Sequence, residues 1–108
     1  MTLIELIHYF RTNGNQDEFF KNNSLDTESE VVEIYMQKPF SLENEIKFFE
    51  IEKSRGKVEY EIDNVKYFNL IDFYYFIDFI EDSKKKKNEN MTDIKLAEIL
   101  LNYCINDA

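Results

Sequence analysis

The spacing of apolar residues along this chain is helical at both ends and alternating in the middle. At the start, residues 2–13 carry apolar side chains three and four positions apart, as on one face of a helix. Thr2 followed by Glu5 resembles a capping box, and Gly14 stands where that helix would end. A second short helix is predicted over residues 16–22. The chain has only two glycines and one proline, so we expect regular elements to dominate.

Four β-strands are predicted in the middle of the chain, where the sequence is β-branched and aromatic. They span approximately residues 30–36, 45–53, 58–63 and 65–70. Asp63 and Asn64 form a predicted two-residue turn between the last two strands, and SRGK, residues 54–57, forms another turn before them. Strands that are joined by such short turns predict an antiparallel meander.

Helical spacing returns in the last third of the sequence. The segment LIDFYYFIDFIEDS, residues 70–83, predicts an amphipathic helix. Its inner stripe consists of Phe73, Phe76, Ile77 and Ile80. A last helix is predicted to begin at Thr92. The residues expected to face the core from this helix are Leu96, Ile99, Leu100 and Tyr103, with Cys104 nearby.

These elements predict a single α+β domain over residues 1–108, with the order ααβββ(β)αα. In this fold a three- or four-stranded antiparallel sheet is flanked by N- and C-terminal helices. Hydrophobic residues make up 44% of the chain and aromatic residues 16%, which is enough for one core without disulfides or metals.

The residue types that most enzymes and metal sites require are scarce in this sequence. His8 is the one histidine and Cys104 the one cysteine, so neither a nucleophile–base pair nor a zinc-ligand cluster is indicated. The two glycines are isolated and form no phosphate-binding loop. We therefore expect no enzymatic activity, no cofactor and no bound metal.

Acidic residues outnumber basic residues by 22 to 13, which gives a net charge of −9. Such a charge repels nucleic acid and anionic membranes and attracts basic proteins. The basic run Lys84 to Lys87 is expected to be a solvated loop rather than a nucleic-acid site. The apolar start lacks the features of a signal peptide, and no apolar run reaches membrane-spanning length. We therefore expect a soluble cytoplasmic protein.

The first candidate surface for a protein partner is the predicted strand 58–63. Its alternation places three acids on one face: Glu59, Glu61 and Asp63. If the preceding turn closes at residues 55–56, the acids of two strands face each other. The opposed pairs are then Glu52 with Glu59 and Glu50 with Glu61. Like charges in such positions cost about 0.2–1 kcal/mol per pair, which favours a role for this charge in binding. Across the other turn, Lys66 is expected to face Glu61.

The second candidate surface is the outer face of the helix predicted over residues 70–83. Its members are Asp72, Tyr75, Asp78, Phe79 and Asp82. Tyrosine provides a large, rigid contact area, and the acids around it can pair with arginine or lysine. The alternative interpretation is a helix that is covered on both sides, with its acids along a narrow exposed seam.

Three segments carry a resemblance to a known class of proteins: TLIELIHYFR, EVVEIYMQKP and YFNLIDFYYFIDFIED. With them, this small, acidic, cysteine-poor chain resembles the immunity proteins of bacterial polymorphic toxin systems, including contact-dependent growth inhibition. The resemblance implies a cytoplasmic inhibitor that binds one cognate toxin domain, often a basic nuclease. It also implies that inhibition is stoichiometric and involves no catalysis.

Two other functions are compatible with the sequence. A phage-encoded inhibitor, or a nucleic-acid mimic that binds a host defence nuclease, would also present an acidic surface. Genome neighbourhood separates these two kinds of binder. A small enzyme that uses carboxylates and tyrosines is the third alternative, and it requires a pocket in which several acids with raised pKa values converge.

Overall fold

The computed structural model describes residues 1–25, 32–50, 59–85 and 90–107. The helices are α1 (Leu3–Arg11), α2 (Gln16–Asn22), α3 (Phe73–Ser83) and α4 (Asp93–Asp107). The strands are β1 (Val32–Met36), β2 (Ile46–Glu50), β3 (Glu59–Ile62) and β4 (Val65–Asp72). Within these described ranges, two helices thus precede four antiparallel strands, and two helices follow them. The predicted α+β fold and its element order are confirmed.

Local capping interactions define the start of the chain. The Thr2 hydroxyl accepts a hydrogen bond from the Glu5 amide at 3.3 Å, and the Glu5 carboxylate accepts one from the Thr2 amide at 3.0 Å. These hydrogen bonds to Thr2 hold the pKa of Glu5 below its ordinary value. The two hydrogen bonds confirm the predicted capping box. At the other end of α1, Gly14 follows the helix, and a Cβ at this position would collide with the ring of Tyr9.

The four strands form one sheet in the order β2-β1-β4-β3. β1 and β4 pair in the centre, so the sheet departs from a sequential meander and β2 and β3 lie at opposite edges. β3 and β4 are joined at Asp63 and Asn64, whose φ angles of 51° and 67° suit a two-residue hairpin turn. This turn was predicted correctly.

The predicted opposition of Glu50 and Glu61 is wrong, because each of these residues has a different neighbour. Glu50 pairs with Val32 on β1, and Glu61 pairs with Lys66 on β4. The expected pairing of Lys66 with Glu61 is therefore confirmed. Glu52 and the predicted turn at residues 54–57 lie outside the described residues.

The segment 70–83 is partly strand rather than wholly helix. β4 continues to Asp72, and α3 begins at Phe73. Asp72 is the N-cap of α3, where its Oδ1 accepts hydrogen bonds from the amides of Tyr74 at 2.7 Å and Tyr75 at 3.4 Å. An aspartate in this position satisfies amides that have no partner within the helix. Asp72 is therefore half-buried at the end of the helix, and its predicted place on the open outer face is wrong.

The helices cover one face of the sheet and enclose a core that is rich in phenylalanine. The aromatic core, as we call it, consists of Phe10, Phe19, Phe20, Phe73 and Phe76, all of them buried. The ring centroids of Phe10 and Phe73 are 5.7 Å apart, and those of Phe20 and Phe73 are 5.0 Å apart. Such edge-to-face contacts add to the free energy gained by burial. α1 and α3 are held together mainly through these rings.

The sheet is strongly curled, as a second aromatic group on its other face demonstrates. Tyr35 on β1 is fully buried, and its ring centroid lies 5.1 Å from that of Phe49 on β2. Phe49 in turn stacks on Tyr60 of β3 with a centroid distance of 4.5 Å. In a flat sheet these edge strands would be about 14 Å apart, three strand spacings. A register shift between Ile34 and Tyr35 marks the irregularity in the central pair of strands.

Candidate functional site

A groove separates α3 from α4 on the surface of the protein. Both helices pack against α1. The groove, here called the α3–α4 groove, has a volume of about 460 Å³. Its lining consists of Ile71, Tyr75, Asp78, Phe79, Asp82, Ile99, Leu100 and Tyr103. A groove of this size can accept side chains of a ligand or a partner.

The α3 side of the groove is the outer face that the sequence predicted. Tyr75 is 68% exposed, Asp78 and Asp82 are exposed, and Phe79 is half-buried. On the opposite side of the same helix, Phe73 and Phe76 are fully buried in the aromatic core. The structure therefore brings four of the predicted residues together: Tyr75, Asp78, Phe79 and Asp82. The fifth, Asp72, caps the helix instead.

The α4 side of the groove differs from the prediction. Ile99 is 38% exposed and Tyr103 is 59% exposed, although both were expected to face the core. The stripe that is buried consists of Leu96, Ala97, Leu100, Leu101 and Cys104. Because α4 carries apolar residues around most of its circumference, the sequence offered two possible inner stripes. The apolar excess was the signal that one stripe of α4 is left for another contact.

Two acids lie at the α3 edge of the groove, and both are exposed. Asp78 and Asp82 lie one helical turn apart, and Asp82 forms an ion pair with Lys85 at 2.9 Å. Both members of that pair are largely exposed, so water competes for them and exchange for another cation costs little. Asp78 forms no salt bridge with any residue in the described part of the chain. Lys86 and Lys87, the rest of the basic run, lie outside the described residues.

The acids of the other predicted surface lie on β3, at an edge of the sheet. Glu59 and Glu61 are exposed on one face, and we call these two residues the β3 acidic strip. Lys66 forms an ion pair with Glu59 at 3.2 Å and stands opposite Glu61, so this strip is partly neutralised. Asp63 is exposed in the adjoining turn. Glu50 is only 6% exposed, so it contributes nothing to an accessible acidic surface.

A second groove lies beside α4. Its lining contains a lysine, whereas the lining of the α3–α4 groove contains two acids. With a volume of about 440 Å³, the second groove is lined by residues of the β1–β2 connection, β4 and the end of α4. Lys38 stands at this groove with its Nζ 4.6 Å from the ring centroid of Phe68, a cation–π distance. Cys104 is at its base, where burial raises the pKa of the thiol to about 11. The thiol is therefore protonated and poorly nucleophilic at neutral pH.

A polar contact fixes α4 against α1. Asp93 accepts a hydrogen bond from Arg11 Nη1 at 2.8 Å, and its other carboxylate oxygen lies 2.8 Å from His8 Nδ1. Partial burial works against ionisation, but the hydrogen bonds and charges of His8 and Arg11 hold the pKa of Asp93 below its ordinary value. His8 thus has a structural contact at the surface.

Two like charges do face each other across the sheet, at a position that the sequence did not indicate. Glu33 on β1 is opposite Asp72 on β4. Desolvation, and then the charge of Asp72, raise the pKa of Glu33 above its ordinary value. This pair lies beside the start of α3. The repulsion between the two carboxylates therefore destabilises the end of β4, directly before α3.

Among the described residues, no cluster of three or more histidine, cysteine or acidic side chains is arranged to hold a metal ion. No helix in the described ranges has the length and apolar character required to cross a membrane. Comparisons with models of protein families, with curated proteins and with solved structures found no match to this chain.

Proposed function

We propose that this protein is a stoichiometric inhibitor that binds a basic toxin domain, in the manner of an immunity protein, and acts in the cytoplasm. The observation that carries the proposal is the composition of the α3–α4 groove. It combines exposed tyrosine and isoleucine side chains with two acids at one edge. Aromatic residues are enriched at the centre of protein interfaces, and charged residues belong mainly to the polar rim around that centre.

The charge of the whole chain supports a basic partner. At a net charge of −9, the protein attracts a positively charged domain within about 8 Å, the screening length at physiological salt. A nuclease domain carries lysine and arginine residues to bind phosphates, and carboxylates can occupy the same positions. The resemblance to immunity proteins points to the same class of partner.

Binding without catalysis agrees with the chemistry of the described side chains. Cys104 is buried and protonated, and His8 is engaged with Asp93 at the surface. The exposed residues of the α3–α4 groove are suited to contact and charge pairing. We therefore propose that inhibition results from occupation of the toxin's surface by this protein, one molecule for each toxin domain.

The proposal is tested by isolating the partner and titrating its activity. The tagged chain is used as bait in its native cells, washed at low and at moderate salt, and bound proteins are identified by mass spectrometry. The purified partner is then assayed for toxic activity with increasing amounts of this protein. We expect one basic partner whose activity is abolished at an equimolar ratio.

Two results would contradict the proposal. One is the absence of a partner at both salt concentrations from cells that express a candidate toxin gene. The other is a partner whose activity persists at several-fold excess of this protein. Inhibition that depends on the β3 acidic strip alone, with competition by DNA or RNA, would instead favour a nucleic-acid mimic.

A further inference from the structure

We infer that the α3–α4 groove receives an amphipathic helix of the partner, with lysine or arginine residues along the edge that faces α3. The inference rests on the proposed function, because it specifies which structure of the basic partner is bound. Its basis is the shape of the groove, the distribution of apolar side chains within it and the placement of the two acids.

The groove has the dimensions of a helix-binding site. Its α3 wall runs from Tyr75 to Asp82, which corresponds to two helical turns and a length of about 10 Å. The opposite wall is formed by Ile99 and Tyr103, one turn apart on α4. A helix presents anchors at positions i, i+3 or i+4, and i+7, so two turns of it match these walls.

The floor of the groove is apolar and can therefore contact apolar anchors. Ile71 at the end of β4 and Leu100 on α4 lie at its base, and Leu100 is buried against the core. Phe79 is half-buried on the side wall. An aliphatic or aromatic anchor placed here would remove apolar surface from water on both partners, which is the main favourable term in association.

The charge on the groove is asymmetric. Asp78 and Asp82 stand on the α3 wall, whereas α4 contributes isoleucine, leucine and tyrosine to the lining. A helix with cations one turn apart on one side of its apolar stripe would pair with both acids. The ion pair between Lys85 and Asp82 is exposed, so a partner's cation can compete with Lys85 for this carboxylate.

The same charges disfavour a second copy of this chain as the occupant. Each molecule carries a net charge of −9, so two copies repel each other. A two-fold contact centred on the groove uses the same patch on both molecules. It would therefore bring the acidic edges of the two molecules into one interface.

Synthetic peptides provide a test with a defined probe. The first is a helical peptide of about 14 residues with leucine at helix-face spacing and lysine along one side of that stripe. The second has glutamate in place of every lysine. Each is titrated into the ¹⁵N-labelled protein, and amide shifts are recorded by NMR. We expect the lysine peptide to shift the amides of the groove residues and to bind about tenfold more tightly than the glutamate peptide at low salt.

Charge exchange makes this test specific for the groove. In the Asp78→Lys/Asp82→Lys variant we expect the preference to invert, so that the glutamate peptide binds more tightly. The matched control is Glu59→Lys/Glu61→Lys, which changes the net charge equally but lies on β3. This control should keep the preference for the lysine peptide. All four substitutions are at exposed positions, and the dispersion of the amide spectrum verifies that each variant is folded.

Three results would overturn the inference. They are equal binding of the two peptides, amide shifts confined to other surfaces, and a concentration-dependent dimer in sedimentation experiments that is lost on Tyr75→Ala. The proposed function is judged separately. A toxin partner that is neutralised equally well by the Asp78→Lys/Asp82→Lys variant would leave the proposed function standing and remove the groove as its site.

Discussion

The aromatic core and the α3–α4 groove are built from similar side chains, and one helix supplies both, yet one is sealed and the other is open to water. Phe73 and Phe76 of α3 are fully buried, whereas Tyr75 of the same helix is 68% exposed. Burial of large apolar side chains stabilises the fold, and their exposure has a cost in solubility. The first group therefore stabilises the fold, and we propose that the second is used for association.

The choice between phenylalanine and tyrosine follows this division. Every member of the aromatic core is a phenylalanine, and the exposed aromatic residues are Tyr74, Tyr75 and Tyr103. A tyrosine hydroxyl remains hydrated in the free protein and can donate a hydrogen bond in a complex. Tyr35 is the exception, since it is fully buried on the other face of the sheet.

Truncation of one aromatic residue in each region gives the largest predicted contrast. Phe73→Ala removes a ring that contacts several others in the aromatic core, so we expect a loss of about 3 to 5 kcal/mol in the free energy of unfolding. Tyr75→Ala, two positions along the helix, should change it by less than about 0.5 kcal/mol. Urea denaturation measures both. Similar losses would mean that Tyr75 belongs to the folding core.

Association kinetics with the partner should separate the groove from the β3 acidic strip. Tyr75→Ala and Tyr103→Ala are expected to accelerate dissociation, and an anchor residue contributes about 2 kcal/mol, or roughly 30-fold in affinity. Glu59→Lys/Glu61→Lys should slow association at low salt and leave dissociation nearly unchanged, because exposed rim charges act mainly on encounter. Surface plasmon resonance at two salt concentrations distinguishes these effects. Faster dissociation only in the Glu59/Glu61 variant would move the binding site to β3.

The position of α4 relative to the core depends in part on Asp93, and its effect should vary with pH. Because the pKa of Asp93 is lowered in the folded protein, its contribution to stability is present above the ordinary aspartate pKa and is lost as pH falls through the lowered value. We expect Asp93→Asn to cost about 1 kcal/mol at pH 7 and progressively less below about pH 4.

Unfolding by urea from pH 7 to pH 3 measures this dependence. Glu98→Gln is the matched control, since Glu98 is on the same helix and its ion pair with Lys95 is exposed and 4.0 Å long. Its effect should be close to zero throughout. A pH-independent loss in Asp93→Asn would show that the contact acts through helix packing rather than through charge.

The smallest predicted effect concerns the like charges at the start of α3. Glu33→Gln removes the repulsion from Asp72, so we expect the free energy of unfolding to rise by about 0.2–1 kcal/mol at pH 7. The pKa of Glu33 is raised in the folded protein, so the gain should disappear as pH falls through that value and Glu33 becomes neutral. Glu43→Gln, an exposed site in the β1–β2 connection, should show no gain. An equal gain at pH 7 and about pH 4 would contradict an electrostatic origin.

Local signals in the sequence were sufficient for the order of elements. The capping box of Thr2 and Glu5 and the turn at Asp63 and Asn64 depend on residues within a few positions of each other. Helical and alternating spacing also act over short ranges. These features were therefore predicted correctly from the sequence.

The arrangement of strands required information that spacing does not contain. β1 and β4 pair although they are more than 30 residues apart. An alternating pattern indicates which side chains share a face of a strand, but it does not indicate which strand lies next to it. The burial of Glu50 follows from the pairing of β2 with β1, because Glu50 stands opposite Val32 on the covered face. For the same reason, the expected opposition of Glu50 and Glu61 was not found.

The α3 side of the candidate site was predicted from the sequence, and the α4 side was not. On α3 the apolar and acidic stripes differ in composition, so Tyr75, Asp78, Phe79 and Asp82 were assigned to one face correctly. On α4 both possible inner stripes are apolar, and only packing against α1 and the sheet decides between them. Ile99 and Tyr103 were therefore assigned to the core and lie instead in the α3–α4 groove.

The burial of Cys104 has a practical consequence for studying motion. It is the only cysteine in the chain, it lies on α4, and it is shielded from solvent in the folded protein. A thiol reagent should therefore react with it slowly, and faster when α4 moves away from the core or the protein unfolds. The rate of its modification, measured with and without a bound partner, reports how often one wall of the α3–α4 groove opens and whether binding holds that wall closed.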